Sequence, residues 1–276
     1  MDDQLIAGSD KNVVQSLAKG FRVLEAFTAI RREMTLAEVA RAADIDNATA
    51  FRFLNTLVQL GYVEKIPDTK RFRLALKCLD LGFSAIARTD IRDLARPLLR
   101  SLVGEHIEAA SVAVSDGADI VYVERVQAGF VRLGVDVRIG SRAPAYSTAV
   151  GQVILAHLSR AQQLAILEAA PRRKVTATTL TSLDALIKRL ALVRAQGFAV
   201  SDQENVTGLR VLAAPVLDAD GLPVAGLSVA APAFLMPLKA FEKLARGPVI
   251  AAARTLSRAL QAAGGIATPE PKHAVR

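Results

Sequence analysis

The chain has 276 residues, with 35 Lys and Arg against 27 Asp and Glu, three His, one Cys and no Trp, and 51% of its positions are apolar. That length and apolar share suit two compact domains or one large one, and they exclude a wholly disordered chain and a single small module. A lone thiol, Cys78, excludes a disulfide framework and a thiolate zinc cluster, while the formal charge of +8 suits a polyanionic partner without saying anything about fold.

Residues 1–11 lack the basic-then-apolar order of a signal peptide, and no later stretch nears roughly 18 uncharged apolar residues. A soluble, cytoplasmic chain with no membrane partner is expected. Residues 13–27 carry Val14, Leu17, Phe21, Leu24 and Phe27 at three- and four-residue steps, which predicts one amphipathic helix. Thr35-Leu36-Ala37-Glu38 is a capping-box pattern: the Thr hydroxyl can accept from a free amide at a helix start while the Glu reaches back. A short second helix follows and ends near Ala43.

Asp44-Ile45-Asp46-Asn47 interrupts the pattern with side chains that compete for backbone groups, and Asp46 or Asn47 is placed to cap the next helix. That third helix, about residues 48–60, is expected to bury Ala50, Phe51, Leu54, Leu57 and Val58. Ala48, Arg52, Asn55 and Gln59 fall on its other side, with Thr49 and Thr56 beside them. Past Gly61 the period shortens: residues 62–66 and 71–76 read as two strands joined by the turn Pro67-Asp68-Thr69-Lys70. Between residues 47 and 77, Arg52, Lys65, Lys70, Arg71, Arg73 and Lys77 outweigh Glu64 and Asp68 and leave +4, half the excess of the whole chain. Strand alternation sends Arg71 and Arg73 to one side, with Phe72 and Leu74 packing inward.

Residues 77–88 read as a connecting helix, and Asp90 is placed to cap another that runs through His106, with Leu94, Leu98 and Leu102 at four-residue steps. The domain boundary falls near residues 86–90. Beyond it, residues 110–115 and 119–126 flank Asp116-Gly117, and residues 208–217 and 222–231 flank Asp218-Ala219-Asp220-Gly221; both pairs predict antiparallel hairpins. Helical segments are expected near residues 148–158, 161–169, 183–196 and 238–262. This mixture predicts an α+β class with a largely antiparallel sheet, over domains 1–89 and 90–265 and a disordered tail at 266–276.

Three helices with a tight break between the second and third, then a basic hairpin, are the parts of a winged helix-turn-helix. The third helix is narrow enough for a major groove, its polar side chains can meet base edges, and the cationic hairpin can lie along phosphates. The same pattern also fits a plain helical subdomain whose polar face is merely wet.

The stretch Ser16-Leu17-Ala18-Lys19-Gly20-Phe21-Arg22-Val23-Leu24, the 35–43 helix, Thr49-Ala50-Phe51-Arg52-Phe53-Leu54 and Leu60-Gly61-Tyr62-Val63 resemble the DNA-binding domain of the IclR family of bacterial transcription regulators. Gly140-Ser141-Arg142-Ala143-Pro144-Ala145-Tyr146-Ser147-Thr148-Ala149-Val150-Gly151 resembles that family's effector-domain loop and helix. Gly197-Phe198-Ala199-Val200-Ser201-Asp202-Gln203-Glu204, Gly208-Leu209-Arg210 and Ala213-Ala214-Pro215-Val216 resemble its second signature. Together they span roughly residues 14–260. The 202–204 and 208–210 wording, with Tyr146 before Ser147-Thr148, is most similar to the branch that controls aromatic-acid breakdown through the protocatechuate and beta-ketoadipate route.

The resemblance implies a winged helix-turn-helix joined by a connecting helix to an α/β effector-binding domain, a homodimer or a dimer of dimers on double-stranded DNA, and a small organic acid as effector. Carried over by position, Thr49 and Arg52 match recognition-helix sites, and Asn47, Ala48, Asn55 and Thr56 lie near enough to join them, with Thr35 at the preceding cap. Arg52 can take guanine bidentately or hold a phosphate. Lys70, Arg71 and Arg73 are expected on phosphates. For the effector the matching positions are Ala149 and Val150 at a helix start, where free amides seat a carboxylate, with Thr148, Ser201, Asp202, Val211, Ser228 and Ala230. Relatives with small-acid ligands often carry cysteine or serine where this chain has Val211 and Ala230. A drier pocket follows, suited to a ring-bearing or longer acid. Arg142 and Arg210 are candidates either to clamp the acid or to form structural ion pairs, and Tyr146 either to stack on a ring or to sit in the core.

An enzyme is the first rival class. The sequence has no phosphate-cradling Gly-rich loop with lysine, no paired metal-ligand histidines and no nucleophile elbow; His106, His157 and His273 are scattered, so no catalytic residue, metal or cofactor is expected. The second rival is an architectural nucleic-acid binder, against which the large, less basic C-terminal part speaks.

Overall fold

The computed structural model describes residues 13–28, 30–86, 91–129 and 137–263, and the chain divides into two compact units, residues 1–87 and 88–276. In the first unit, α1 (Gln15–Glu25) is followed by β1 (Met34–Thr35), α2 (Leu36–Ala42), α3 (Asn47–Gln59), β2 (Val63–Lys65), β3 (Arg71–Leu74) and α4 (Cys78–Ile86). The hairpin is a three-stranded sheet in the order β1-β3-β2, because Met34 and Thr35 pair with Phe72 and Arg71. Two residues were too short to register as a strand in the sequence pattern. Val23, Ala26, Phe27, Met34, Val39, Leu54, Leu57, Val63 and Phe72 make the core.

The apolar face expected of α1 is only partly inward. Val23 and Phe27 are buried, whereas Leu17 and Phe21 are 61% and 51% exposed. Leu74, expected to pack inward, shares the face of Phe72 but is exposed where its strand ends.

The second unit runs α5 (Ile91–Leu102), β4 (Ala109–Asp116), β5 (Asp119–Gln127), β6 (Arg142–Pro144), a single 3-10 turn (Ala145–Ser147), α6 (Ala149–Ala156), α7 (Arg160–Glu168), α8 (Leu183–Gln196), β7 (Ala199–Asp202), β8 (Leu209–Leu217), β9 (Pro223–Pro232) and α9 (Leu238–Ala262). Its six strands lie in the order β6-β5-β4-β9-β8-β7, every neighbour antiparallel. α5 buries Ile91, Ala95 and Leu99 rather than the predicted leucine row, and ends at Leu102, short of His106. Asp90 and the expected tail at 266–276 lie outside the described residues.

Helices cover both faces of this sheet. Glu124 of β5 reaches Arg92 of α5 on one face. On the other, α6 sits directly on β9: a Cβ at Gly226 would lie 2.8 Å from Val150 Cγ1, and one at Gly151 would strike the Ala145 backbone. Glycine is required at both positions because two backbones approach there. Pairing alternation therefore assigns Gly226, Ser228, Ala230, Val211, Ala213, Ala199 and Ser201 to the α6 side. Among the described residues no helix is long and apolar enough to cross a membrane.

Candidate DNA-reading helix and effector face

Asp46 caps α3. Its carboxylate accepts from the Thr49 amide at 2.8 Å and the Thr49 hydroxyl at 2.6 Å, and these bonds hold it below the usual aspartate value. The buried stripe is Ala50, Leu54 and Leu57, steps of four and three; Phe51 is 54% exposed and Val58 is exposed as well. The apolar face is thus narrower than the sequence predicts. Asn47, Ala48, Arg52, Asn55 and Thr56 are exposed, and Thr49 is half-buried. Thr49 is engaged with its cap, and the Thr56 hydroxyl donates back to the Arg52 carbonyl at 2.9 Å. Asn47, Arg52 and Asn55 make no side-chain hydrogen bond or ion pair among the described residues, so their hydrogen-bonding groups are free for a partner.

Thr35 is occupied by the start of α2, where its amide donates to Glu38 Oε2 at 2.7 Å and its hydroxyl accepts from the Glu38 amide. The bond from the Thr35 amide, and then one the Thr35 hydroxyl donates to Glu38 Oε2 at 3.0 Å, depress the Glu38 carboxyl. The wing cations are less free than their charge suggests. Arg73 pairs across the strands with Glu64 at 2.9 Å, and Arg71 donates to the Glu33 carbonyl at 3.1 Å with Glu38 at 3.7 Å. Lys70 is exposed on the turn and unpaired among the described residues. Exposed ion pairs of this kind contribute little to stability and exchange readily for another anion. Lys77 donates to the Leu60 carbonyl at 2.8 Å, closing the end of α3, and Cys78 points its thiol at the Tyr62 carbonyl; burial pushes that thiol up, away from nucleophilic use.

In the second unit the sheet brings Ser201, Val211, Ala230 and Ser228 onto one face: Val211 stands opposite both Ser201 and Ala230, and Ser228 opposite Ala213. α6 covers part of that face, with Ala149 and Val150 buried in its first turn and Thr148 as its cap, accepting from the Gly151 amide at 3.1 Å. The Thr148 hydroxyl also donates to the Pro144 carbonyl, so its bonds are local.

Four of the candidate residues have partners of their own. Arg142 pairs with Asp116 at 2.7 Å and Asp119 at 3.6 Å across the β4–β5 turn, and these acids raise its pKa. Asp202 alternates to the opposite face from Ser201, where Arg210 binds it at 2.7 Å and also donates to the Ala233 and Met236 carbonyls. Both arginines are structural clasps. Tyr146 is core, its hydroxyl donating to the Arg173 carbonyl at 2.6 Å.

A model of the IclR helix-turn-helix domain matches residues 16–67, and one of the bacterial transcriptional regulator IclR C-terminal domain matches residues 83–258. The chain belongs to the IclR family. It is 34% identical to the Pca regulon regulatory protein of Pseudomonas putida over 220 residues, 80% of this chain and 75% of that one. It is 35% identical to the HTH-type transcriptional regulator KdgR of Escherichia coli (strain K12) over 219 residues, 79% of this chain and 82% of that one. A crystal structure from Rhodococcus sp. RHA1, described as that of a transcriptional regulator, superposes with a TM-score of 0.81 at 38% identity over 91% of this chain and 100% of the other. The IclR family consists of transcriptional regulators, and the enzyme class falls away.

Three features of this IclR-family chain escaped the sequence reading. Ser111 and Arg125 stand in the same cross-sheet row as Ser228, with Arg125 Nη1 donating to Ser111 Oγ at 2.9 Å. A Glu124-Arg125 pair between Val123 and Val126 in a predicted strand was the available signal. Glu204, buried behind α6, accepts from Arg189 at 2.9 Å and Gln152 at 3.3 Å, while its carbonyl accepts from Thr179 at 2.6 Å. Nothing in its spacing separates such a hub from an exposed loop glutamate.

Proposed function

We infer that this IclR-family transcriptional regulator, with its DNA-binding helix-turn-helix and effector-binding domain, couples promoter reading to a small organic acid. We propose that α3 reads a promoter operator through Arg52 and Asn55, with Asn47, Ala48 and Thr49 at the groove edge, Thr56 alongside, and Lys70, Arg71 and Arg73 on phosphates. The observation that carries this is the free polar flank of α3 opposite Ala50, Leu54 and Leu57. Thr35 serves by fixing α2 rather than by touching bases.

The effector is an aromatic acid or a beta-ketoadipate-pathway intermediate, seated on the α6 side of the sheet against Ala149, Val150, Ser201, Val211, Ser228 and Ala230. Val211 and Ala230, opposite each other, supply an apolar floor suited to a ring. The Pca regulon relative supports this class; the KdgR relative is equally similar, so the pocket chemistry carries the choice. The working form is a homodimer in the cytoplasm, held in part by the exposed apolar residues Val14, Leu17 and Phe21 of α1. Effector binding favours one arrangement of the paired reading heads and so changes operator binding or transcriptional output.

A thermal-shift screen of protocatechuate, hydroxybenzoates, beta-ketoadipate and short keto acids, followed by operator binding with and without the hit, tests the reading. A ring-bearing or six-carbon acid raises the melting temperature and alters operator affinity or footprint. Stabilisation by two- or three-carbon acids alone, or a saturating ligand that leaves affinity, footprint and output unchanged, overturns it.

A further inference from the structure

One row of the α6-side face departs from the small apolar pattern around it. Across the sheet it reads Arg125, Ser111, Ser228, Ala213, Ala199, on β5, β4, β9, β8 and β7 in turn. The row beside it is Ala109, Ala230, Val211, Ser201. Ser111, Ser228 and Ser201 are all buried, yet Ser228 and Ser201 make no side-chain hydrogen bond among the described residues, and the only one made by Ser111 is to Arg125.

Arg125 is the unusual member. Its Nε is buried and has no hydrogen-bond partner, and the guanidinium makes no ion pair with any described carboxylate. Glu108 acts on it through space, and the Glu108 carboxylate also accepts from the Gly129 amide at 2.8 Å. Burial works against the charged form of Arg125, with Tyr122 and Glu108 acting the other way. A half-buried, planar five-donor cation whose Nε is shut away from solvent and whose one described partner is a hydroxyl leaves donors unmet, and the partner that fits its fork is a carboxylate.

We infer that Arg125, with Ser111 and Ser228, is the carboxylate clamp of the effector site, so that the ligand must be an anionic acid whose ring lies over Ala230 and Val211. The inference rests on the effector reading above and deepens it. Arg125 takes the carboxylate through Nε and its remaining amino donors. Ser111 already accepts from Arg125, which leaves its proton to donate to the acid; Ser228, on the adjoining strand about 4.8 Å away, donates from the other side. Ser201, two strands beyond Ser228, is placed for a polar group at the far end of a ring. Arg125, Ser111 and Ser228 of one row, with Ala230, Val211 and Ser201 of the row beside it, thus match a molecule with a charged head, a flat apolar middle and a polar tail.

Titration calorimetry on the full chain tests this with protocatechuate, 4-hydroxybenzoate and beta-ketoadipate, and with the neutral amide of whichever acid binds. The amide is expected to bind on the order of a hundredfold more weakly than the acid, as is the acid to Arg125→Met, with Arg125→Lys recovering part of the loss because it keeps charge without the fork. Equal binding of acid and amide, or acid binding to a folded Arg125→Met within threefold of the parent, overturns the clamp and leaves the effector reading standing. Failure of every acid to bind the parent chain overturns both. The acid-to-amide comparison uses the unmodified protein and decides the matter even if Arg125→Met does not fold.

Discussion

α3 and the α6-side sheet face are both amphipathic surfaces, yet they treat polar side chains in opposite ways. On α3 the polar groups Asn47, Arg52 and Asn55 are exposed and uncommitted, so a partner meets them without displacing anything. Around the sheet, several charged groups among the described residues are already paired: Arg142 with Asp116, Arg210 with Asp202, Arg189 with Glu204. An exposed helix flank can hold charge in water at little cost and offer it to DNA, whereas an interior tolerates charge only in pairs. In the sheet, Arg125 and the unbonded Ser201 and Ser228 are left over, and these are the groups of the proposed ligand site.

Substitutions that attack each surface sharpen that contrast. The largest effect is expected from Leu54→Ala, which hollows the core beneath α3 and destabilises the first unit by about 2–5 kcal/mol in chemical denaturation, taking operator binding with it. Next, Gly226→Val places a side chain 2.8 Å from Val150 and unseats α6 from the sheet, at roughly 1–3 kcal/mol, with the effector response lost before operator binding.

A smaller loss follows Asp46→Ala, which removes the α3 cap and lowers the melting midpoint by a few degrees. Its pH signature has a defined sign. Because the Thr49 hydroxyl and amide lower the folded-state pKa of Asp46 below the ordinary aspartate value of 3.8, the stabilisation is complete above that value and is lost as pH falls below it. A parent-minus-variant difference that is flat between pH 5 and a pH near 2 would count against the cap. The smallest effect belongs to Arg73→Ala: the exposed pair with Glu64 contributes little, so stability stays unchanged while the log–log salt slope of operator binding falls by about one. An unaltered slope removes Arg73 from the phosphate contacts.

Much of this was legible in the sequence where a local rule acts alone. The Thr35-to-Glu38 capping box, the break at residues 44–47 and the turns at Asp116-Gly117 and 218–221 are set by neighbours in the chain, and the structure forms them as expected. Tertiary packing overrode the pattern elsewhere. Phe51, Val58, Leu17 and Phe21 have core composition but lie one step round their helices from the buried stripe. At the sheet, sequence motifs named Asp202 and Ser201 together, but alternation sends them to opposite faces. Ser111 and Arg125 lay in no motif, and only the pairing of β5 with β4 and β4 with β9 brings them to Ser228.

If the uncommitted flank of α3 reads sequence, the binding of the parent and of Arg52→Ala/Asn55→Ala to the promoter fragment and to a scrambled fragment, at one salt concentration, reveals it. The parent is expected to prefer the promoter by about a thousandfold or more, and the double variant, with an unchanged melting temperature, to lose most of that preference while retaining its weak binding to the scrambled fragment. A double variant that discriminates as well as the parent would contradict the claim.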